Sequence, residues 1–171
     1  GRRWADVKRS DKIRWGILAT GGIAGKFAED LRHVPDAEAV AVGSRTRESA
    51  EAFAGRHGIP RAYGSYEELV RDPDVDIVYV ASIHPAHAEH VLLCLEAGKA
   101  VLNEKPFTVN AGEAERLIRT ARGRGLFLME AMWTRYLPAI RKVREWIADG
   151  RIGEVRSMNA AFGFCAPHDP D

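Results

Sequence analysis

From Ile13 onward the chain alternates short, almost wholly apolar runs with longer amphipathic stretches, and this alternation constrains the fold more than any other feature. A strand buried on both faces reads as a continuous apolar run, whereas a helix lying against it repeats its apolar residues every 3.6 positions. The runs Ile13–Ala19, Ala37–Ser44, Ile77–Ala81, Ala100–Asn103 and Leu126–Ala131 are predicted as strands. Helices are predicted over Ile23–Val34, Arg47–His57, residues 86–97, Gly112–Arg122 and Leu137–Ala148. Ile23, Phe27, Leu31 and Val34 share one side of the first helix, and Leu137, Ile140, Val143 and Ile147 one side of the last. Ser65-Tyr66-Glu67-Glu68 has the pattern of a capping box opening a short helix that Asp72-Pro73-Asp74 ends. The fold expected is α/β, a doubly wound parallel sheet with helices on both faces.

Residues 1–12 read as a basic tail, and residues 13–150 as one dinucleotide-binding domain. Glu154–Phe164 reads as a strand with less even burial, opening a second domain over residues 151–171. A lone strand cannot bury its face, so its partner strands are expected outside this sequence and the second, α+β domain is expected to be incomplete.

Lys and Arg together number 25 against 24 Asp and Glu, so no overall field draws the chain toward nucleic acid or membrane. The basic start lacks the apolar run of a secretory signal, and no stretch approaches the length of a membrane span. Cys94 and Cys165 lie far apart and outside any CxxC arrangement, which reads as reduced thiols and a cytoplasmic protein.

Between the first strand and its helix stands Ala19-Thr20-Gly21-Gly22-Ile23-Ala24. A tight glycine turn in this place lets backbone N–H groups and the helix dipole reach a diphosphate, as in a Rossmann fold. Against G-x-G-x-x-G/A, Gly21 matches, Ala24 is an accepted variant and Ala19 replaces the first glycine. In isolation the same turn also suits a strand–helix unit with no ligand. The end of the second strand reads Gly43-Ser44-Arg45-Thr46, without the carboxylate that would bind a ribose 2′-hydroxyl. A guanidinium matches a 2′-phosphate in charge and fork geometry, so Ser44 and Arg45 point to NADP over NAD, although loops also carry solvated arginines.

The strand Ala100–Asn103 runs into Glu104-Lys105-Pro106, at the sheet edge where open α/β folds bind ligands. A lysine there can hold a substrate hydroxyl and exchange a proton with it; from the tripeptide alone a surface lysine is an equal reading. His84, His87 and His90 recur every three residues, but Pro85 breaks the register and no acidic or cysteine ligand completes a sphere, so no metal is expected.

Together Gly16–Ala24, the loop from Ala81 to His87 and Leu102-Asn103-Glu104-Lys105-Pro106 resemble the glucose–fructose oxidoreductase/inositol dehydrogenase (Gfo/Idh/MocA) family. Phe107-Thr108-Val109-Asn110 and Glu130-Ala131-Met132-Trp133-Thr134-Arg135-Tyr136 look like the branch holding dimeric dihydrodiol dehydrogenases and NADP-dependent xylose dehydrogenases. The resemblance spans residues 13–165. It implies hydride transfer from a secondary or anomeric carbinol of a sugar or diol to a nicotinamide, and a homo-oligomer formed through the second domain. It implies that Lys105 is catalytic and that Thr20, Gly21, Gly22, Ile23, Ala24, Ser44 and Arg45 bind cofactor. Ala81, Ser82, His84, His87, Glu104, Lys105, Trp133 and Arg135 are implied near the nicotinamide end. Trp133, Arg156 and Phe162 are implied at the substrate. Asn103 departs from the small residue or cysteine often found before Glu-Lys-Pro. A non-catalytic nucleotide-binding regulator of the same fold stands as the alternative, against which an intact Lys105 argues.

Overall fold

The computed structural model describes residues 12–163. Six parallel strands form one sheet: β1 (Ile13–Leu18), β2 (Ala37–Gly43), β3 (Arg61–Tyr63), β4 (Ile77–Val80), β5 (Ala100–Asn103) and β6 (Leu128–Glu130). Their order across the sheet is β3-β2-β1-β4-β5-β6. The chain thus winds outward from β1 in one direction, then crosses back to β4 and winds in the other. The crevice above the carboxyl ends of β1 and β4 is the switch point where such sheets take ligands.

Helices α1 (Gly22–Leu31), α2 (Arg47–His57), α3 (Tyr66–Arg71), α4 (His87–Glu96) and α5 (Ala111–Gly123) connect the strands. Alternate side chains of each strand enter different cores. Leu18, Ala41, Val78 and Val80 join Val91, Leu95 and Leu117 in one, while Ile17, Val42 and Tyr79 join Ala24, Ala28 and Phe53 in the other. This two-sided burial is why the strands read as unbroken apolar runs. Gly43 is a packing requirement, since a Cβ there would sit 2.9 Å from Leu69 Cβ.

Half of the capping box forms at α3: Glu68 N donates to Ser65 Oγ at 3.1 Å, while Glu68 Oε2 accepts from Gly64 N, one residue before the cap, at 3.1 Å. β3 escaped the sequence pattern because it has three residues, one of them arginine, and all three are half-buried. Its pairing with β2, from Ala41↔Arg61 to Gly43↔Tyr63, is what makes it a strand.

The chain forms two compact units, one through Ala131 and one from Met132. The last rung of the sheet is the bond from Ala131 N to Asn103 O at 2.7 Å, and the second unit begins at the next residue. In this second unit a 3-10 turn, Trp133–Tyr136, leads into α6 (Pro138–Ala148). One expectation changes: residues 154–163 form neither strand nor helix, and Phe164 lies outside the described residues. A strand exists only through its ladder, and the six-stranded sheet of the described residues does not include this segment. Of the expected tail, only Lys12 is described; it lies 4.0 Å from Glu38. No helix among the described residues is long and apolar enough to cross a membrane.

Candidate cofactor-binding site

The carboxyl ends of β1, β2 and β4 open onto one cleft of about 770 Å³. Thr20 and Gly21 reach it from β1, Ser44 and Arg45 from β2, and Ala81 and Ser82 from β4. Ladder bonds continue one residue past each strand, with Ala19 N to Gly43 O at 2.9 Å, Ala81 N to Leu18 O at 3.0 Å and Glu104 N to Val80 O at 3.0 Å. The loops therefore leave the sheet from fixed points. Ser44 is buried and its Oγ lies 3.3 Å from Thr20 Oγ1, tying the first two loops together, while Arg45 is exposed.

The glycine turn is open where a ligand would approach. A Cβ added at Gly21 or Gly22 would meet nothing within 4 Å, so packing within the protein does not demand glycine at either position. Gly21 caps α1 with ordinary extended angles, no side chain caps the helix, and its first turn carries no acidic residue. The other helices of this unit longer than eight residues have an acidic group in the first turn. The free N–H groups and positive end of α1 are thus left without an internal counter-charge. Ala19, in place of the first glycine, adopts φ +81°, the left-handed conformation that a glycine would take without strain. The dinucleotide fits this cradle: open backbone, free N–H donors and no competing carboxylate.

Ala24 is fully buried between α1 and the sheet, so its small side chain serves close packing and does not face the cleft. Ile23 stands 47% exposed at the start of α1. His84 is exposed on the 3-10 turn His84–Ala86.

Two residues expected at the cofactor are turned inward. His87 is 1% exposed, with Nδ1 2.8 Å from Pro106 O and Nε2 2.9 Å from Ser82 O, so both ring nitrogens are engaged by the protein itself. Glu104 is 8% exposed; its Oε1 accepts from Tyr79 OH at 2.5 Å and its Oε2 from Lys105 N at 3.0 Å. Burial and the carboxylate push the Tyr79 phenol well above its usual value, keeping it a donor. Lys105 is exposed beyond β5, on a turn braced from several sides. Asn103 Nδ2 donates to Phe107 O at 2.8 Å, and Phe107 N to Glu130 Oε1 at 2.8 Å. The Lys105–Pro106 bond is cis.

Tyr66, Ser49 and His90 also line the cleft, the first two unforeseen and the last weighed only among the three spaced histidines. They come from α3, α2 and α4, and nothing local in the sequence joins those positions. His90 Nδ1 lies 2.8 Å from Ser82 Oγ, and its ring meets Tyr66 edge-on with centroids 4.7 Å apart. Burial lowers the His90 pKa below its ordinary value. Trp133, Arg135, Arg156 and Phe162 belong to the second unit and are all exposed; Arg156 pairs with Glu154 at 2.7 Å.

Residues 13–132 match the model of an oxidoreductase family with an NAD-binding Rossmann fold. The chain belongs to this family. The Gfo/Idh/MocA resemblance and the α/β fold are thereby borne out, and the matched span ends within a residue of the division between the two units. Among relatives in this family, the trans-1,2-dihydrobenzene-1,2-diol dehydrogenase of Mus musculus is 49% identical over 160 residues, covering 92% of this chain and 48% of that one. The Bos taurus enzyme of the same name is 50% identical over 158 residues, 91% of this chain and 47% of that one. A 3-ketoreductase from Actinomadura kijaniata, solved with TDP-benzene and NADP, superposes with a TM-score of 0.79 at 38% identity, covering 85% of this chain and 46% of that one. The chain spans about half the length of these relatives.

Proposed function

We propose that this chain is the nucleotide-binding part of an NADP-dependent dehydrogenase that moves hydride between the carbinol of a sugar or diol and the nicotinamide. The observation carrying the reading is the cleft at the switch point, with an unobstructed glycine turn on one wall and Ser44 and Arg45 in place of a ribose-binding carboxylate on another. The dehydrogenase names of the relatives and the NADP held by the ketoreductase support it.

In this reading Thr20, Gly21, Gly22 and Ile23 hold the diphosphate at the start of α1, while Ala24 lets the helix approach the sheet. Arg45 and Ser44 take the 2′-phosphate and favour NADP over NAD, which a carboxylate in the same place would repel or accept respectively. Ala81, Ser82 and His84 border the nicotinamide side. The nicotinamide, when bound, accepts the hydride. Lys105 holds the substrate hydroxyl, and its ammonium stabilises the growing negative charge on that oxygen or relays its proton. Trp133, Arg135, Arg156 and Phe162 are assigned to the nicotinamide and substrate side through the second domain, which belongs to the same proposal, as do the homo-oligomer and the cytoplasmic location. Buried Cys94 fits that location, its thiol pushed well up by desolvation and therefore unreactive.

The test is Lys105→Ala in a protein extended to the length of the relatives. Turnover should fall by about two to four orders of magnitude while cofactor affinity changes little. Near-normal turnover would favour a nucleotide-binding regulator instead.

A further inference from the structure

His87 ties together the backbones that leave two neighbouring strand ends, which the sheet and the Tyr79–Glu104 bond join beneath it. Its ring begins α4, is 1% exposed, and lies between two carbonyl oxygens, Ser82 O after β4 and Pro106 O after β5. A carbonyl only accepts. A neutral imidazole carries one N–H and one bare lone pair, so either tautomer would press a lone pair against a carbonyl oxygen at 2.8 or 2.9 Å. The neighbouring histidine shows the contrast. His90 meets the hydroxyl of Ser82, which donates or accepts as required and makes no demand on the ring.

We propose that His87 is held as a doubly protonated imidazolium and is a positioning residue, clamping the Ser82 loop to the Lys105–Pro106 turn. The start of α4 is the positive end of a helix dipole and disfavours a cation, so the two charge-assisted bonds to carbonyls must outweigh it. The clamp acts through backbone atoms on both sides. It sets the distance from the cleft floor at Ser82 to the turn that carries Lys105, and Asn103 and Glu130 fix that turn from its other flank. The positioning role rests on the reading of Lys105 as the substrate-binding group; the ring's protonation does not.

Two-bond proton–nitrogen NMR spectra of the chain, with His87 assigned by its loss in His87→Gln, should show protons on both ring nitrogens at neutral pH. One bare nitrogen would overturn the clamp. For positioning, the lysines carry 13C-methyl labels and Lys105 is assigned by its loss in Lys105→Arg. NADP+ should shift the Lys105 signal in the unaltered chain. In His87→Gln that response should fall at least twofold while NADP+ affinity, read from the same titration, stays within twofold. An undiminished response would refute the positioning role. If Lys105 ignores NADP+ even in the unaltered chain, the role assigned to Lys105 fails and positioning falls with it, and ring protonation alone decides the clamp. Should His87→Gln not fold, through-bond correlation of the ring to its own backbone amide assigns His87, and the spectrum of the unaltered ring remains the deciding measurement.

Discussion

A methyl group added at Gly21 meets no protein atom within 4 Å, and the residue already has φ −74° and ψ 179°, which alanine adopts freely. The fold should therefore hardly register Gly21→Ala. Less freedom in the unfolded chain favours the variant by about 0.4–1 kcal/mol. Alanine is a poorer N-cap than glycine by a similar amount, so the net change should lie within about 0.5 kcal/mol, or about 2 °C in Tm for a chain of this size. Bound NADP meets a different situation. The new methyl projects into the space through which the diphosphate reaches the N–H groups of α1, and forcing a methyl into a filled contact costs about 1–3 kcal/mol, or about five- to 150-fold in Kd. Thermal melts and titration with NADPH fluorescence measure the two quantities on the same preparation. Gly43→Ala provides the opposite case, because its Cβ would lie 2.9 Å from Leu69 Cβ and 3.3 Å from Ser65 O. It should cost about 1–3 kcal/mol of stability. Unchanged NADPH affinity in Gly21→Ala, or a loss of stability matching that of Gly43→Ala, would refute the cradle.

Arg45→Ala should weaken NADP about tenfold to a hundredfold and leave NAD nearly unchanged, and equal losses in the two titrations would remove Arg45 from the 2′-phosphate. Ala19→Gly should stabilise the chain by about 0.5–1 kcal/mol in urea unfolding, because relief of the left-handed strain at φ +81° exceeds the added freedom of the unfolded state. His90 adds a pH dependence of known sign. Burial holds its pKa below 6.5, so the native state binds fewer protons than the unfolded chain, and stability declines as pH falls below 6.5 toward the depressed value. The change in urea midpoint from about pH 7.5 to about pH 5.5 should be less favourable in the unaltered chain than in His90→Gln, a difference that isolates His90 from groups of opposite sign such as His87.

The strands β1, β2, β4 and β5 were legible because their inner stretches are buried on both faces, and a segment with that fate must be apolar. The glycine turn, Arg45 and Lys105 were legible for a related reason. All three lie one to three residues past a strand end, where topology alone carries them to the ligand-binding edge. The second segment misled: residues 154–163 have apolar content suited to a strand, yet strand formation depends on a partner that local sequence does not contain.

Local sequence determined where the chain turns, which faces are apolar and which groups stand at the strand ends. Tertiary structure decided which of those groups face the cleft. Glu104 and His87 adjoin Lys105 and Ser82 in the expected site pattern, but Tyr79 draws one inward and two carbonyl oxygens hold the other. Tyr66 and His90, 24 positions apart by number, meet at the cleft only because α3 and α4 pack side by side. Residue type and spacing specify what a side chain can do, whereas its direction is settled by the hydrogen-bond partners that distant segments bring to it, since a buried polar group must be paired wherever the fold leaves it.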